Sequence, residues 1–360
     1  MRPTFRRTAP ITLGSVAVLV MILAIVGFTY EQLGRNREAQ HRFRIGRAVD
    51  IGGRTLNIDC SGEGSPTVIL LPTRFGGYGG YIKVRPEVAK FTRVCWYDRA
   101  GEGWSDPPPS PRTSASITND LHELLRRTPV PGPYILVGHS IGGSFARIYA
   151  GRFSAEVVGL VLVDSANPDQ SEPPIMIAPI NRMPIFVRKL LCWGTPVASR
   201  FGLVRFFMRN DPIEIPPGLA GDDSDAVTQT LRDQRVKYVE TDAEMACAAT
   251  QNGSIKPHGG SGNPEIDAAA RRVTNLGNMP IIVLTGDQYW KPDDDPVAAR
   301  QITEFHETWV RQLQPALAHL STQGRQIILP NSDHGVPDQA PDAIIDAIRS
   351  IVTQSSRHME

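Results

Sequence analysis

Short, largely apolar runs recur along the chain, and polar segments with helical character separate them. The runs are Thr67–Leu71, Phe91–Tyr97, Tyr134–Val137, Val157–Val163, Pro280–Gly286 and Gln326–Pro330. Such runs are typical of parallel strands that are buried on both faces of a sheet. The segments between them predict helices at Ser116–Arg127, Ala298–Leu320 and Pro341–Val352. Strands that alternate with helices predict an α/β fold with a doubly wound, mostly parallel sheet.

Two segments depart from this alternation. Ala48–Ile51 and Thr55–Cys60 are separated by the pair Gly52-Gly53, which predicts a two-stranded hairpin before the first parallel strand. Residues 165–275 hold no buried strand run and are rich in Pro, Met, Phe and acidic residues, with helical stretches near Ile185–Met208 and Asp225–Ala249. This second segment predicts a helical insert within the sheet.

The N-terminal region predicts a transmembrane helix. Ile11–Tyr30 contains no charged side chain, and twenty helical residues at about 1.5 Å each are long enough to cross a bilayer core. Three arginines precede the run, which favours a cytoplasmic N-terminus with most of the chain outside. Because no good cleavage site follows, we expect an uncleaved signal anchor; secretion after signal cleavage is the alternative.

These patterns divide the chain into six predicted segments. They are a short basic N-terminal tail (1–10), a transmembrane signal anchor (11–30), a linker (31–47), the first part of the core (48–164), the helical insert (165–275) and the second part of the core (276–355).

Composition adds two constraints. The 360 residues carry a net charge of only +1, which gives no reason to expect nucleic acid as a partner. The four cysteines, at positions 60, 95, 192 and 247, allow two disulfides or four free thiols, and their spacing is not of a zinc-binding type.

The strand Tyr134–Val137 leads into a candidate nucleophile. It is followed by Gly138-x-Ser140-x-Gly142, and then by a helical stretch from Ser144 to Ala150. A strand, a sharp turn that carries a serine and a helix together form a nucleophile elbow, in which only glycine leaves room beside the strained serine. We therefore expect Ser140 to be a catalytic nucleophile.

The chain resembles the α/β-hydrolase superfamily from residue 48 to residue 352, apart from the insert. The residues that carry the resemblance are Thr67 to Gly77, Tyr97-Asp-Arg-Ala-Gly-Glu-Gly-Trp-Ser-Asp106, Gly138-His-Ser-Ile-Gly-Gly143 and Ser332-Asp-His-Gly335, in the family order. The resemblance is to the serine esterase and lipase-like branch. It implies that residues 165–275 form a lid over the active site.

His334 is the candidate general base and acid. It follows the strand Gln326–Pro330 and precedes the last helix, so it falls on a loop at the carboxyl edge of the sheet, where Ser140 also lies. His139 lies beside the serine inside the elbow, and we expect its side chain to point away from the site.

Two aspartates compete for the third position of the triad. In most of the family the acid follows the strand that corresponds to Ile281–Thr285, but Tyr289 occupies that position here, and Asp287 lies two residues earlier. Asp164 directly follows Val157–Val163, a position that some lipases of this fold use. We favour Asp164 and keep Asp287 as the alternative acid.

The resemblance also implies an oxyanion hole. The backbone N–H of Ile141, the residue after the nucleophile, would supply one donor, and the loop after the strand Thr67–Leu71 would supply the other. In that loop Phe75 stands at the donor position. The chemistry requires no cofactor and no metal.

The sequence therefore predicts a serine hydrolase that cleaves a small-molecule carboxylic ester through an acyl-enzyme intermediate and is tethered to the membrane. A peptidase or amidase, or a carbon–carbon bond hydrolase of the same fold, is the alternative. A non-catalytic, membrane-tethered binding protein on the same scaffold is the rival from another class.

Overall fold

An eight-stranded sheet organises the part of the chain that the structure describes. The computed structural model describes residues 9–40, 44–73, 78–108, 113–170, 194, 197–210, 228–237, 241, 263–288 and 295–356. The strands lie in the order β1-β2-β4-β3-β5-β6-β7-β8, and only the pairs β1/β2 and β2/β4 are antiparallel. Their bounds are β1 Arg47–Asp50, β2 Thr55–Ser61, β3 Thr67–Leu71, β4 Val94–Tyr97, β5 Tyr134–His139, β6 Val157–Val163, β7 Ile281–Gly286 and β8 Gly324–Leu329.

Helices precede, connect and follow these strands. They are α1 Ala9–Gln40, α2 Arg85–Val88, α3 Ser114–Arg127, α4 Ile141–Arg152, α5 Leu203–Met208, α6 Pro264–Arg271, α7 Pro296–Thr308, α8 Gln314–Ala318, α9 Val336–Gln339 and α10 Pro341–Ser356. A π-helical turn, Trp309–Leu313, joins α7 to α8. Residues 228–237 are also helical.

The core has two layers, one on each face of the sheet. In β3 the side chains alternate between them, because successive residues of a strand point to opposite faces. Ile69 and Leu71 pack with residues of α3, α4 and α8, whereas Val68 and Leu70 pack with residues of α2 and α10. All four are fully buried, as expected for a strand covered on both sides.

A disulfide joins two neighbouring strands at the antiparallel side of the sheet. Cys60 of β2 lies opposite Cys95 of β4 in the register, and the two are bonded with their Cα atoms 4.1 Å apart. Cys192 and Cys247 lie outside the described residues.

Helix α1 is long, and most of its side chains between Gly14 and Arg37 are exposed. Within it, Gly14–Arg37 is long and apolar enough to cross a membrane, by its length and composition. The helix continues to Gln40, so the expected linker at residues 31–47 is helical over its first ten positions. The reason is local, since residues 31–40 contain no proline and only one glycine, Gly34, to interrupt the helix.

The α/β fold with its mostly parallel sheet, predicted from the pattern, is confirmed. The hairpin β1/β2 is also present. The helix expected over Ala298–Leu320 is instead α7, the π-helical turn and α8. The six predicted segment boundaries stay predictions.

Candidate active site

Ser140 lies in the sharp turn between β5 and α4. Its backbone has φ 54° and ψ −124°, a left-handed conformation that is rare for a residue with a side chain. Its N–H donates to the carbonyl of Val163 (3.1 Å), and its carbonyl accepts from Ala166 N–H (2.9 Å). The end of β6 and the segment directly after it thus hold the turn at Ser140.

Glycines make this turn possible by close approach. A Cβ at Gly138 would lie 2.5 Å from the Cα of Gly143, and a Cβ at Gly142 would overlap the carbonyl oxygen of Leu71. The start of α4 therefore packs directly against the carboxyl end of β3, the strand that leads into the loop with the expected second oxyanion donor.

His334 and Asp164 meet at the same edge of the sheet. His334 follows β8, Asp164 follows β6, and His334 Nδ1 lies 2.6 Å from Asp164 Oδ2. A carboxylate can only accept, so Nδ1 carries the hydrogen and Nε2 keeps its lone pair. The imidazole is thereby held in the tautomer that can take a proton.

The carboxylate of Asp164 is 1% exposed and accepts from two further donors. Trp309 Nε1–H lies 2.9 Å and Gly286 N–H 3.3 Å from Oδ1. Trp309 stands at the start of the π-helical turn, a feature that is frequent at functional sites. We did not single it out from the sequence, because a tryptophan 145 positions away gives no local signal.

The alternative acid, Asp287, has a different partner. Its Oδ1 accepts from the backbone N–H of Asn331 (3.2 Å), so it braces the loop after β8. Asp164 is the aspartate that the structure pairs with His334. Tyr289 lies outside the described residues.

The surroundings of His334 raise its pKa above 6.5. Burial by itself lowers the pKa, but the hydrogen bond to Asp164 and the negative charges of Asp164 and Asp333 outweigh it. The side chain remains 49% exposed, so its free face is open to solvent and to a substrate.

His139 lies against His334, contrary to the expectation that it points away. The two rings are 4.9 Å apart, and His139 Nε2 lies 2.8 Å from the backbone carbonyl of His334. Because a carbonyl only accepts, Nε2 carries the hydrogen. Burial lowers the pKa of His139 to about 4, which keeps it neutral as a support for the His334 loop.

The structure describes one of the two expected oxyanion donors. Ile141 is the first residue of α4, directly after Ser140, so its N–H is one of the free donors at a helix N-terminus. Phe75 lies outside the described residues. Arg99 holds the start of its loop, donating to the carbonyls of Pro72 (2.9 Å) and Thr73 (3.2 Å).

Within the residues that the structure describes, no three His, Cys, Asp or Glu side chains group in a way that would hold a metal ion.

Comparisons with known proteins agree on the fold. The pattern of the alpha/beta hydrolase family matches residues 68–347. A crystal structure described as that of a lipase from Acinetobacter baumannii has a TM-score of 0.55 at 18% identity, covering 92% of this chain and 96% of that one. An epoxide hydrolase has a TM-score of 0.56 at 18% identity, covering 86% and 98%.

Among curated proteins, an uncharacterized protein of Schizosaccharomyces pombe is 42% identical over 103 residues, which are 29% of this chain and 19% of that protein. An uncharacterized protein of Bacillus subtilis is 26% identical over 170 residues, 46% of this chain and 52% of that protein. The chain thus spans between a fifth and about half of the length of these relatives.

Proposed function

The chain belongs to the α/β-hydrolase family, and from that premise we propose that it is a serine hydrolase that cleaves carboxylic esters. One observation carries the proposal. The strained Ser140 shares a sheet edge with a histidine whose Nδ1 is held by the buried carboxylate of Asp164. The family hosts several hydrolytic chemistries, and this set of groups favours acyl transfer to serine.

In the proposed reaction, Ser140 Oγ attacks the ester carbonyl carbon while His334 Nε2 takes its proton. The tetrahedral intermediate collapses, the carbon–oxygen bond to the alcohol breaks, and His334 returns the proton to the leaving alcohol. Water then attacks the acyl-enzyme with His334 again as base, which releases the acid and restores the serine.

Two further sets of groups assist. Asp164 orients the imidazole and stabilises the imidazolium that forms at each proton transfer. The backbone N–H groups of Ile141 and Phe75 would donate to the oxyanion of the intermediate. One such donor typically contributes about 10²–10³ in rate.

A fluorophosphonate probe tests the proposal, since it reacts only with an activated serine. The full chain should be labelled at Ser140 and should hydrolyse p-nitrophenyl esters, and Ser140→Ala should lose both activities. Absence of labelling, or equal labelling of Ser140→Ala, would show that the chain is not a serine hydrolase and would favour the binding-protein alternative. A series of p-nitrophenyl esters of rising acyl length then measures which acyl chain the enzyme prefers.

We also propose that α1 anchors the enzyme and that the hydrolase domain lies outside the cytoplasm. The length of the apolar stretch supports anchoring. The Cys60–Cys95 disulfide supports the location, because disulfides persist in oxidising compartments.

Membrane fractionation tests the anchor. After alkaline carbonate extraction the full-length chain should stay in the pellet, with an intact mass that includes α1. A soluble chain that begins after α1 would show a cleaved signal instead. Protease accessibility from the outer side of intact cells tests the orientation.

A further inference from the structure

Helix α5 carries an unusual surface. At Leu203, Phe206 and Phe207 this helix turns large apolar side chains to the outside, and Phe207 is 75% exposed. The residue that it buries is Arg205, which is 5% exposed. This is the reverse of a helix packed in water, whose apolar stripe faces the core. An exposed apolar patch of this kind marks an interaction site.

The patch extends beyond the helix. Val197 and Phe201, just before α5, are also exposed. Outside α1, the described residues place most of their exposed large apolar side chains in this short segment. We call the set of Val197, Phe201, Leu203, Phe206 and Phe207 the apolar patch.

The segment that carries the patch is docked on α1. A Cβ at Gly27 would lie 2.5 Å from the carbonyl oxygen of Phe201. A Cβ at Gly202 would lie 2.8 Å from the ring of Tyr30, and a Cβ at Gly34 would overlap the Arg205 side chain. Positions 27, 30 and 34 lie on one face of a helix. Glycines on this face let the segment approach the helix closely.

A buried ion pair fixes the contact. Arg205 Nε lies 3.0 Å from Glu31 Oε2, and Arg205 also pairs with Asp233 in the helix of residues 228–237. Glu31 is 1% exposed and accepts from Arg35 as well. Since breaking one member of a buried pair is strongly destabilising, this arrangement holds α1, α5 and the helix 228–237 together.

The position along α1 identifies the environment. Gly27 lies three residues before the end of the apolar stretch at Tyr30, which is about 4.5 Å along a helix. The patch is therefore level with the boundary between the acyl chains and the headgroups of a bilayer spanned by α1. Arg200 and Arg209 are exposed in the same segment, and the Arg209 guanidinium lies 4.0 Å from the ring centroid of Phe206.

The segment between β6 and β7, which includes α5, also contacts the edge of the sheet that carries the candidate active site. Thr241 Oγ1 donates to the carbonyl of Gly101 (2.6 Å), and Lys237 Nζ to that of Gly103 (3.4 Å). These glycines lie in the loop after β4 that also contains Arg99, which holds the loop after β3. The segment between β6 and β7 is thus fastened to the membrane helix on one side and to the active-site edge on the other.

We propose that the apolar patch inserts into the interface of a phospholipid bilayer, and that the substrate is an ester whose acyl chain resides in that bilayer. This rests on the proposed ester hydrolysis and on the proposed anchor. The apolar side chains would enter the acyl-chain boundary while the exposed arginines pair with lipid phosphates.

Depth-dependent quenching tests insertion without using activity. The full chain is reconstituted in phosphatidylcholine and phosphatidylglycerol nanodiscs, with an environment-sensitive fluorescent amino acid at position 207 or at position 297. Val297 is the control, because it is an exposed apolar residue on another helix, α7, and is not part of the patch. Lipids with a nitroxide near the headgroup should quench position 207 and not position 297. An unquenched position 207, or equal quenching at both, would overturn the proposal.

Substrate presentation tests the second half. For each variant we compare turnover of a long-chain ester in the nanodisc with turnover of water-soluble p-nitrophenyl acetate. Phe207→Asp should lower this ratio by about tenfold or more, because it withdraws a large apolar side chain from the interface, whereas Val297→Asp should not. An unchanged ratio in Phe207→Asp contradicts the substrate assignment. Quenching at position 207 without hydrolysis of either ester would instead refute the ester hydrolase and leave the surface standing.

Discussion

At the scale of single residues, the carboxylate of Asp164 is the most heavily constrained group of the site. The backbone φ of Asp164 is 37°, and its carboxylate accepts from His334, Trp309 and Gly286. Such strain persists only where the surroundings over-determine the backbone, and it concentrates at functional sites. The end of β6 is thus built around this one side chain.

Exchange of the two aspartates separates their roles. Asp164→Asn should lower kcat/KM by roughly 10³–10⁴, since an amide supports the wrong tautomer of the histidine. Asp287→Asn should change it by less than about tenfold, because the Asp287 carboxylate accepts from the backbone N–H of Asn331, whereas His334 is paired with Asp164. Steady-state kinetics of both variants measures the difference. Equal, mild effects would refute Asp164 and Asp287 alike.

Under the proposed mechanism, the raised pKa of His334 sets the pH dependence of activity. Only the neutral imidazole can accept the serine proton, so kcat/KM should fall as the pH drops through a midpoint above 6.5. In Asp164→Asn, burial still lowers the pKa of His334, but the negative charge that raises it is gone. The midpoint should therefore move to lower pH. The raised pKa of His334 in the wild-type protein also stabilises the folded state below pH 6.5. This stabilisation is lost as the pH rises through the pKa of His334 in the folded state. A pH profile of both enzymes measures the midpoints; an unmoved midpoint would contradict the pairing.

We predict that Trp309 is a positioning residue, because its indole N–H donates to the carboxylate of Asp164. Trp309→Phe keeps the ring and removes one donor to a buried carboxylate, which should lower kcat about tenfold. The less stabilised carboxylate should bind the imidazolium more strongly, so the acid midpoint should rise. Phe305→Leu, which alters a ring 5.8 Å from Trp309, is the control and should leave the midpoint in place. A loss of thermal stability without a shifted midpoint would assign Trp309 to packing alone.

At the scale of elements, the disulfide between β2 and β4 closes a loop of 35 positions. By the loop-entropy argument it stabilises the fold by about 2–4 kcal/mol. Replacing both cysteines, Cys60→Ala with Cys95→Ala, should lower the unfolding midpoint in a thermal melt by several degrees. Catalysis should survive, since the pair lies at the antiparallel side of the sheet. A melt that is the same with and without reductant would show that the bond does not form.

The elements divide into those that the sequence predicts and those that it does not. β3, β5 and β6 are predictable because burial on both faces removes polar positions from a strand. The π-helical turn at Trp309 is not, since one extra residue in a helix hardly changes its apolar pattern. α5 also escapes a pattern-based prediction, because its polarity is reversed and its buried arginine is paired with residues far along the chain.

At the scale of the whole molecule, the contact between α1 and α5 is the feature that joins the proposed anchor to the hydrolase domain. Gly34→Leu should force the Arg205 side chain away and expose the buried charges, destabilising the protein by roughly 3–5 kcal/mol. Gly14→Leu is the matched control, since a Cβ there meets nothing within 4 Å. Thermal unfolding of the detergent-solubilised full chain measures both. Equal stability of the two variants would rule out a stabilising contact.

Some residues of the candidate site can likewise be predicted from the sequence, and others cannot. Ser140 and His334 follow from local motifs and from the rule that the carboxyl ends of parallel strands share one edge. The choice between Asp164 and Asp287 does not, because both follow strands at that edge. Only the direction of the side chains, which depends on the two loops after β6 and β7, separates them.

The Glu31–Arg205 pair also has a consequence for the order of synthesis. The two residues are 174 positions apart, so at 5–20 residues per second roughly 10–35 s pass between them on the ribosome. Until Arg205 arrives, Glu31 must stay hydrated, since burying it alone would cost several kcal/mol. If α1 is the proposed anchor, it therefore enters the bilayer first, with the Glu31 carboxylate in water. Contact between the hydrolase domain and the proposed anchor therefore forms only after α1 has been made.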